Sequence, residues 1–293
     1  MEPVQLDAPV VRAITDILDL SKNYKAKDVT MCLTERFDAD ALNHIIVNSE
    51  KYAELVRPET LDNPNKIDPF VLAKKYLRRS KQVDGVEAPV RVVKTTYKQT
   101  NAHGRFFAKD QLSMQNLIRE IRHTIGRKYY RDIDIKNAHP VFLQHFCELL
   151  NIKAPFLTTY IVRRNEALKA IYPDDMEKSK KVILSLINGG TADYRKVPKK
   201  KEWLINFKKE MDRIRSIIAK GADYEKHKAW YDSTEKKKNK NPEGSYVNTL
   251  FCQFENRIIQ TVWEAMGSPE DCVLCFDGIL IPIELREKFD LLS

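Results

Sequence analysis

The fold of this chain depends most on the stretch Tyr129-Tyr130-Arg131-Asp132-Ile133-Asp134-Ile135-Lys136-Asn137-Ala138-His139-Pro140. Residues 129–135 alternate as a β-strand does, and a period of two puts Asp132 and Asp134 on one face. Pro140 suits the first turn of a helix, and residues 141–150 supply its apolar stripe. The stretch therefore predicts a strand that carries two acids to a strand-to-helix turn, where they could hold a divalent metal ion. Two solvated acids at a sheet edge would give the same pattern.

Composition limits the class of protein. The chain has 293 residues, 43% of them hydrophobic, which allows one large domain or two of ordinary size. Its formal charge of +9 favours a polyanionic partner, although a basic surface can also serve solubility alone. No apolar run reaches membrane-spanning length and the N-terminus has no signal-peptide form, so we expect an intracellular protein that is neither secreted nor membrane-bound. The five cysteines are odd in number and mostly lie in apolar segments, which favours reduced thiols.

The first hundred residues show helix-like patterns separated by polar breaks, and strand-like alternation over residues 88–96. No pattern in this region carries recognisable chemistry. We expect a mostly helical N-terminal region, and its role stays open.

A helix is predicted over residues 112–125, with Gly126 ending it. Its apolar residues share one face, so its polar side chains should project from the others: Gln115, Asn116, Arg119 and Arg122. Arginines and amides in this arrangement suit contacts to nucleic-acid phosphates and groove edges. An ordinary solvated helix face has the same composition.

A second helix should start at Asp174 and end at Gly189, because a capping pattern and an apolar period frame this segment. On a helical wheel of this segment, Lys181 and Asn188 lie opposite the apolar stripe, whereas Lys180 lies at the edge of the stripe. Lys181 is therefore the better placed lysine for a phosphate-bearing ligand, unless it is merely solvated.

Basic segments follow between residues 195 and 243, including the run Lys236-Lys237-Lys238-Asn239-Lys240 in a predicted loop. Such runs are often plain solubilising surface. Two such clusters, Lys199-Lys200-Lys201 and this run, flank the candidate site in a basic chain, which favours contacts to a phosphate backbone.

A long amphipathic helix over residues 245–266 and a hairpin over residues 272–282 complete the predicted elements. Ile258 should face inward on the helix, and Glu255 lies so near the apolar stripe that we expect it to pair with a base rather than bind metal. Asp277-Gly278 between two apolar runs is a strong hairpin signal. Asp277 is either a turn residue alone or an acid held at the hairpin tip, close to Asp134.

Together these segments resemble the catalytic palm of family A nucleic-acid polymerases over residues 104–282. His103-Gly104-Arg105 with Met114-Gln115-Asn116 is similar to the signature that precedes motif A, and Asp134 with His139 is similar to motif A itself. Lys181 with Asn188-Gly189 resembles the motif B helix. Phe276-Asp277-Gly278 resembles motif C. The stretch from Asp134 to Pro140 also resembles the family B pattern. Departures from family A include Glu177 in place of an arginine. The pattern is similar to a divergent branch, such as the polymerases carried by viruses and large transposons, often beside primase or helicase domains.

The resemblance implies an α+β fold with two regions. A polymerase palm with an antiparallel sheet and helical fingers would occupy residues 101–293, with residues 175–245 as the fingers-like, basic part. Residues 1–100 would form the separate N-terminal region. The end of the chain soon after motif C suggests a piece of a longer replication protein, with a helicase or primase domain on the same or another chain.

The resemblance also implies template-directed nucleotidyl transfer by a two-metal mechanism, as in a DNA-directed DNA polymerase, with or without primase activity. The implied ligands of two Mg²⁺ or Mn²⁺ ions are Asp134, Asp277 and Asp132. Lys181 would be catalytic and would bind the triphosphate of a dNTP or NTP, with His139 at the sugar and Asn188 nearby. Primer-template nucleic acid would be held by Arg105, Gln115, Asn116 and Arg119.

Two other functions fit part of the pattern. An archaeal-eukaryotic-type primase could use Asp132 and Asp134 as its metal pair, but its downstream Ser-x-His-like element is missing between residues 150 and 289. The other function is that of a non-catalytic, DNA-binding replication module, built on a palm that has lost its activity. The retention of Asp134, Lys181 and Asp277 argues against it.

Overall fold

The structure is a computed structural model that describes residues 28–53, 67–83, 89–100, 104–221, 223–233 and 241–290. Residue 103 and the predicted lysine-rich loop at residues 236–240 lie outside the described residues. In chain order the strands are β1 (Val29–Asp38), β2 (Lys81–Gln82), β3 (Val90–Gln99), β4 (Phe107–Ala108), β5 (Tyr130–Asp134), β6 (Val273–Cys275) and β7 (Gly278–Pro282).

The helices alternate with these strands or follow them. In chain order they are α1 (Ala39–Val47), α2 (Ser49–Ala53), α3 (Pro69–Arg79), α4 (Arg119–Gly126), α5 (Ala138–Leu149), α6 (Pro155–Val162), α7 (Arg164–Lys169), α8 (Met176–Ile187), α9 (Ala192–Arg195), α10 (Glu202–Ile218), α11 (Tyr224–Ser233), α12 (Pro242–Ala265) and α13 (Arg286–Asp290). The mixture of helices and antiparallel sheets confirms the predicted α+β class.

The chain forms two compact units. We call the first the sheet unit; it comprises the described residues within 28–100, 105–135 and 256–290. The second is the helical unit, which comprises Gly104 and the described residues within 136–255. Helix α12 changes unit between Glu255 and Asn256.

The larger sheet of the sheet unit is built on the long antiparallel pair β1 and β3. Its register runs from Val29 opposite Gln99 to Asp38 opposite Val90, and β2 and β4 also pair with β3. The strands are rich in β-branched and aromatic residues, which favour a pleated, half-buried surface. This pair makes the described part of the N-terminal region less helical than the sequence predicts.

The smaller sheet has the order β5-β7-β6, and both of its pairings are antiparallel. All five residues of β7 are buried, because this strand lies in the centre of the sheet. The central position explains why its sequence is a continuous apolar run rather than an alternating one. The order places the acid-bearing strand β5 directly beside the strand that follows the hairpin turn.

One apolar core in the sheet unit draws on segments far apart in the chain. It includes residues from β1, α1, α3, α4 and β6: Phe37, Leu42, Tyr76, Ile121 and Val273. The predicted boundary near residue 100 therefore differs from the observed organisation, since residues on both sides of it bury side chains in the same core.

The helical unit, as far as the structure describes it, contains helices and turns. Its buried faces come from α5, α6, α8 and α10, with fully buried side chains such as Leu143, Leu157, Ile183 and Phe207. Glu210 on α10 accepts hydrogen bonds from the backbone N–H groups of Phe156 and Leu157 at 3.2 and 2.8 Å. These groups belong to the first turn of α6, whose N–H groups have no partner within the helix. Burial raises the pKa of the Glu210 carboxyl.

Three details of the predicted helices are wrong. The helix expected over residues 112–125 begins only at Arg119, after a run of turns. The cap of α8 is Asp175, which accepts a 2.8 Å bond from the Lys178 N–H, rather than Asp174. On α12, Ile258 is exposed and Ile259 is buried, so the predicted phase is off by one residue at that end.

Among the described residues, no helix has the length and apolar character needed to cross a bilayer.

Candidate carboxylate site in the sheet unit

The pairing of β5 with β7 brings two predicted acids to the same end of the smaller sheet. Asp134 lies opposite Gly278, and the N–H of the next residue, Ile135, donates a 3.1 Å hydrogen bond to the carbonyl oxygen of Asp277. Asp134 at the end of β5 and Asp277 in the turn that leads into β7 are therefore adjacent, as the sequence predicts.

Gly278 permits this close approach of the strands. A Cβ atom at this position would lie 2.7 Å from the carbonyl oxygen of Ile133 and 3.4 Å from Oδ1 of Asp134. The first distance is too short for any side chain without a backbone shift. The glycine of the Asp277-Gly278 pair is thus needed for strand packing beside the acids, as well as for the hairpin.

The electrostatics of Asp134 show an excess of negative charge. Its pKa is raised above the usual value, first by partial burial and then by the charges of Asp277 and Asp132, while Arg119 acts in the opposite direction. Like charges close together disfavour ionisation. The site would therefore gain stability from a bound cation.

Asp132 lies on the same face of β5 as Asp134, as the strand period predicts. Its Oδ2 is 2.9 Å from Nε2 of His123 on α4. The structure thus brings Asp132 near the other acids and at the same time gives it an imidazole partner. The sequence pattern alone does not reveal His123.

The hairpin tip carries an aromatic cluster that the sequence pattern does not reveal. Its two-residue turn is Phe276-Asp277, one residue earlier than the predicted Asp277-Gly278, since Cys275 pairs directly with Gly278. Phe276 has a φ of 64°, in the left-handed region that bulky residues rarely occupy. Its ring centroid lies 5.8 Å from that of Phe107, and the Arg105 guanidinium carbon lies 5.7 Å from it.

This cluster places Arg105 directly beside the acid-bearing turn. Phe107 remains 53% exposed although it is a large aromatic side chain. Backbone strain of this kind is found preferentially at functional sites. The adjacent aromatic residues Phe106-Phe107 are visible in the sequence, but their pattern does not show that Phe107 contacts the hairpin tip.

Gln115 is buried rather than exposed, so the predicted contact of its side chain with nucleic acid is wrong for this structure. Its Oε1 accepts from the Ala108 N–H at 2.9 Å, and its Nε2 donates to the carbonyl oxygens of Phe106 and Leu274 at 3.0 and 2.9 Å. The amide ties β4 to β6, one residue before Cys275. It positions the strand that leads to the hairpin tip.

The other members of the predicted nucleic-acid face differ in exposure. Asn116 is partly buried, and Arg119, the first residue of α4, is exposed. Arg119 is also the cation that opposes the raised pKa of Asp134. It is therefore the predicted nucleic-acid residue that is both accessible and electrostatically coupled to the acids.

A buried carboxylate that carries no motif explains why the segment before α4 is not helical. Glu35 on β1 is fully buried and accepts hydrogen bonds from the side chains of Tyr76, Tyr97 and Ser113 and from the backbone N–H of Met114. The bonds measure 2.9, 2.7, 2.5 and 2.7 Å. They hold residues 113 and 114 in a turn that no local period predicts.

In the helical unit, the predicted faces of α8 are confirmed. Val182, Ile183, Leu186 and Ile187 are buried, and Lys181 is exposed. Nζ of Lys180 lies 2.5 Å from Glu177 Oε1. Lys180 therefore has a partner on its own helix, as a residue at the edge of the stripe can.

Asn188 caps the C-terminus of α8. Its carbonyl oxygen accepts a 2.9 Å bond from Nδ2 of Asn241, and its own Oδ1 is buried without a hydrogen-bond partner among the described residues. Gly189 follows with a φ of 77°, and a Cβ atom there would come within 3 Å of Asn241 and Arg215. The Asn-Gly pair thus has a structural role at the end of this helix.

His139 on α5 pairs with the predicted acid of α12. Its Nε2 lies 3.1 Å from Oε1 of Glu255, which is fully buried, and its ring packs 5.0 Å from that of Phe251. The prediction that Glu255 pairs with a base is confirmed. The pairing orients the imidazole that resembles the sugar-contacting residue of motif A.

The fit of a divalent metal can be judged from the donors of the sheet unit. Within the described ranges, no set of three or more His, Cys, Asp or Glu side chains converges in a metal-binding arrangement. Asp134 and Asp277 nevertheless provide oxygen donors and the negative charge described above. Mg²⁺ retains several waters and is usually held by one or two carboxylates together with substrate phosphates. Two aspartates are therefore an adequate protein contribution for Mg²⁺.

Comparison with known proteins gives one partial relationship. Over 193 residues the chain is 31% identical to a Sputnik virophage protein named "Putative helicase V13". The matched region covers 61% of this chain and 24% of the virophage protein, so the chain spans about a quarter of that protein's length. No protein-family profile matches the chain, and no solved structure matches it.

Proposed function

We propose that this chain is the nucleotidyl-transfer segment of a replication protein of a virus or mobile element, acting as a template-directed DNA polymerase. The observation that carries the proposal is the juxtaposition of Asp134, at the end of β5, and Asp277, in the turn that leads into the antiparallel strand β7. Motif order supports it, since the acids and Lys181 follow one another as in the polymerase families that the sequence resembles.

The chain's own residues account for the binding of charge. Asp134 and Asp277 bind divalent cations. The pKa of Asp134 is raised first by burial and then by repulsion from Asp277 and Asp132, and a bound cation relieves that repulsion. Bound Mg²⁺ or Mn²⁺ ions supply stabilisation of the attacking and leaving oxygens. Lys181 binds the triphosphate of the incoming nucleotide. Arg105 and Arg119 contact the phosphate backbone of the primer-template.

The virophage relative supports a role in nucleic-acid replication. Its name describes a helicase, and a polymerase segment within a long protein that also contains a helicase is consistent with that name. Because the match covers about a quarter of the virophage protein, the name does not assign helicase activity to this chain.

Primer extension on a labelled primer-template, with dNTPs or NTPs and with Mg²⁺ or Mn²⁺, tests the proposal. We expect metal-dependent extension that Asp134→Asn and Asp277→Asn each abolish. Asp40→Asn is the matched control, because Asp40 is an exposed aspartate in the same unit. Extension that survives both site substitutions, or that is absent from the well-folded wild-type chain with every nucleotide set, overturns the proposal.

A strand-separation assay with ATP on the same preparations distinguishes the helicase alternative. Unwinding without extension would assign the relative's named activity to this segment instead. A chain that binds DNA and neither extends nor unwinds it would be a binding module.

A further inference from the structure

A cavity in the helical unit has the residues of an anion-binding site that no motif identifies. Its volume is about 520 Å³, and it lies between the start of α5 and the junction of α6 with α7. Its charged lining residues are Lys136, Arg163, Arg164 and Glu166. The volume falls within the range of about 300–1,000 Å³ that is usual for small-molecule sites.

The charges that line this cavity are unequal. Three cations face one carboxylate, and in the described part of the chain none of Lys136, Arg163 and Arg164 forms an ion pair. Uncompensated charge of one sign in a concave site concentrates the field and attracts counter-ions. The excess of positive charge therefore favours an anionic ligand.

Arg164 lies beside a buried tyrosine. Its guanidinium is close enough to the phenol of Tyr160 to oppose the rise in the Tyr160 pKa that burial causes. Tyr160 is 1% exposed, so this partner belongs to the core of the unit. The Nε atom of Arg164 is buried and has no hydrogen-bond partner among the described residues. A guanidinium that lines the cavity suits the oxygens of a phosphate, because its planar donors can pair with two oxygens at once.

The rest of the lining is suited to a ligand with both polar and apolar parts. Asn137 lies beside Lys136, and its side chain makes no capping bond to α5. Val141 and Val162 supply apolar surface, and Val162 is among the most exposed apolar residues in the described chain. A nucleotide combines phosphates with a less polar sugar and base.

We propose that this cavity binds the phosphates of a nucleotide unit, either from a free nucleoside triphosphate or from a nucleic-acid strand. The inference is independent of the proposed polymerase activity, since it rests on the cavity and its cations alone. Arg163-Arg164 provides two adjacent guanidinium groups, and Lys136 adds a third cation.

Titration calorimetry with inorganic tripolyphosphate, in the absence of metal, tests the phosphate site directly. Lys136→Ala and Arg163→Ala remove exposed side chains, and each should weaken binding by about tenfold, the value of one charge-assisted hydrogen bond. Glu166→Gln should tighten binding, because it removes the cavity's carboxylate. Arg164→Lys keeps the charge and loses the planar donor set, so it should weaken binding less than Arg163→Ala.

The matched control is the double variant Lys153→Ala/Lys169→Ala, which removes two exposed cations of the same unit that do not line the cavity. Equal losses in the control and the double variant Lys136→Ala/Arg163→Ala would reduce the effect to overall charge and overturn the proposal. No detectable binding of tripolyphosphate, a nucleoside triphosphate or an oligonucleotide by the folded wild-type chain would also overturn it.

Competition distinguishes the two sources of phosphate. If a nucleoside triphosphate displaces tripolyphosphate at lower concentration than single-stranded DNA phosphate does, the site serves free nucleotides. The opposite order assigns it to a strand. Either result supports the proposal, provided that Lys136→Ala and Arg163→Ala each weaken the binding of the ligand that displaces tripolyphosphate.

Discussion

Ile135 donates its backbone N–H to the carbonyl oxygen of Asp277 at 3.1 Å, and this bond joins the two candidate acidic segments at one end of the smaller sheet. It extends the pairing of Asp134 with Gly278 by one residue. Because the bond is between backbone groups, it holds the strand ends together whatever the ionisation of the acids. The juxtaposition is therefore a property of the fold rather than of a bound ligand.

Gly278→Ala should destabilise the chain and abolish metal-dependent activity. The added Cβ would lie 2.7 Å from the backbone oxygen of Ile133, so β5 and β7 must separate. Overpacking of this kind costs about 1–3 kcal/mol, and denaturant unfolding would measure it. Gly221→Ala is a control with contacts of 3.1 and 3.2 Å at a non-strand position, and it should cost less. Equal losses would show that the strand approach is not restrictive.

Asp134→Asn should stabilise the fold at neutral pH while it removes activity. The folded state binds the Asp134 proton more tightly than the unfolded state, because its pKa is raised in the fold. The free energy of unfolding therefore falls as pH rises from the ordinary pKa of aspartate, about 3.9, through the raised value. Asparagine cannot ionise and removes this loss of stability. The variant should therefore have a larger free energy of unfolding than the wild type above this pH range, and the difference should vanish below it.

Thermal unfolding of both proteins across pH would show this effect, with Asp40→Asn as the exposed control. Added Mg²⁺ should raise the melting temperature of the wild type and leave Asp134→Asn nearly unchanged, since a ligand of the folded state alone stabilises it. A variant that is less stable than the wild type at neutral pH would contradict the repulsion between the acids.

Lys181→Ala should raise the apparent KM for nucleotide and lower kcat, with a combined effect on kcat/KM of about tenfold or more. Lys181 is on the exposed face of α8, where its ammonium group is accessible to a ligand. Lys180→Ala should be much milder, since Lys180 lies half-buried at the edge of the apolar stripe. Steady-state kinetics on the three proteins would decide, and equal effects of the two substitutions would contradict the distinction.

His139→Ala should destabilise the helical unit by about 1–3 kcal/mol, the usual cost of removing a partner from a buried polar group. Its imidazole lies 3.1 Å from the fully buried Glu255 carboxylate and packs on Phe251. His145→Ala is the matched control, because His145 is exposed on the same helix. Urea unfolding of both variants is the measurement. A change as small as that of the control would mean that the His139–Glu255 contact contributes nothing to stability.

Much of the candidate site follows from the sequence, since it depends on local periods. The alternation of residues 129–135 is that of β5, the two apolar runs around Asp277 form β6 and β7, and the wheel of α8 correctly exposes Lys181. A strand's period of two and a helix's period of 3.6 are properties of neighbouring residues. These periods can therefore be recognised in the sequence without knowledge of the tertiary contacts.

The features that the sequence alone did not determine depend on residues far apart in the chain. Glu35 holds Ser113 and Met114 from 78 and 79 positions away, so a segment with a helical apolar period forms turns instead. The amide of Gln115 is buried because its partner, the carbonyl oxygen of Leu274, lies 159 positions further along. The core shared by described residues on both sides of residue 100, and the group of cations around the cavity at Lys136, also depend on residues that are distant in the sequence. Buried polar groups must find partners wherever the fold supplies them, and only the tertiary structure decides which residues those are.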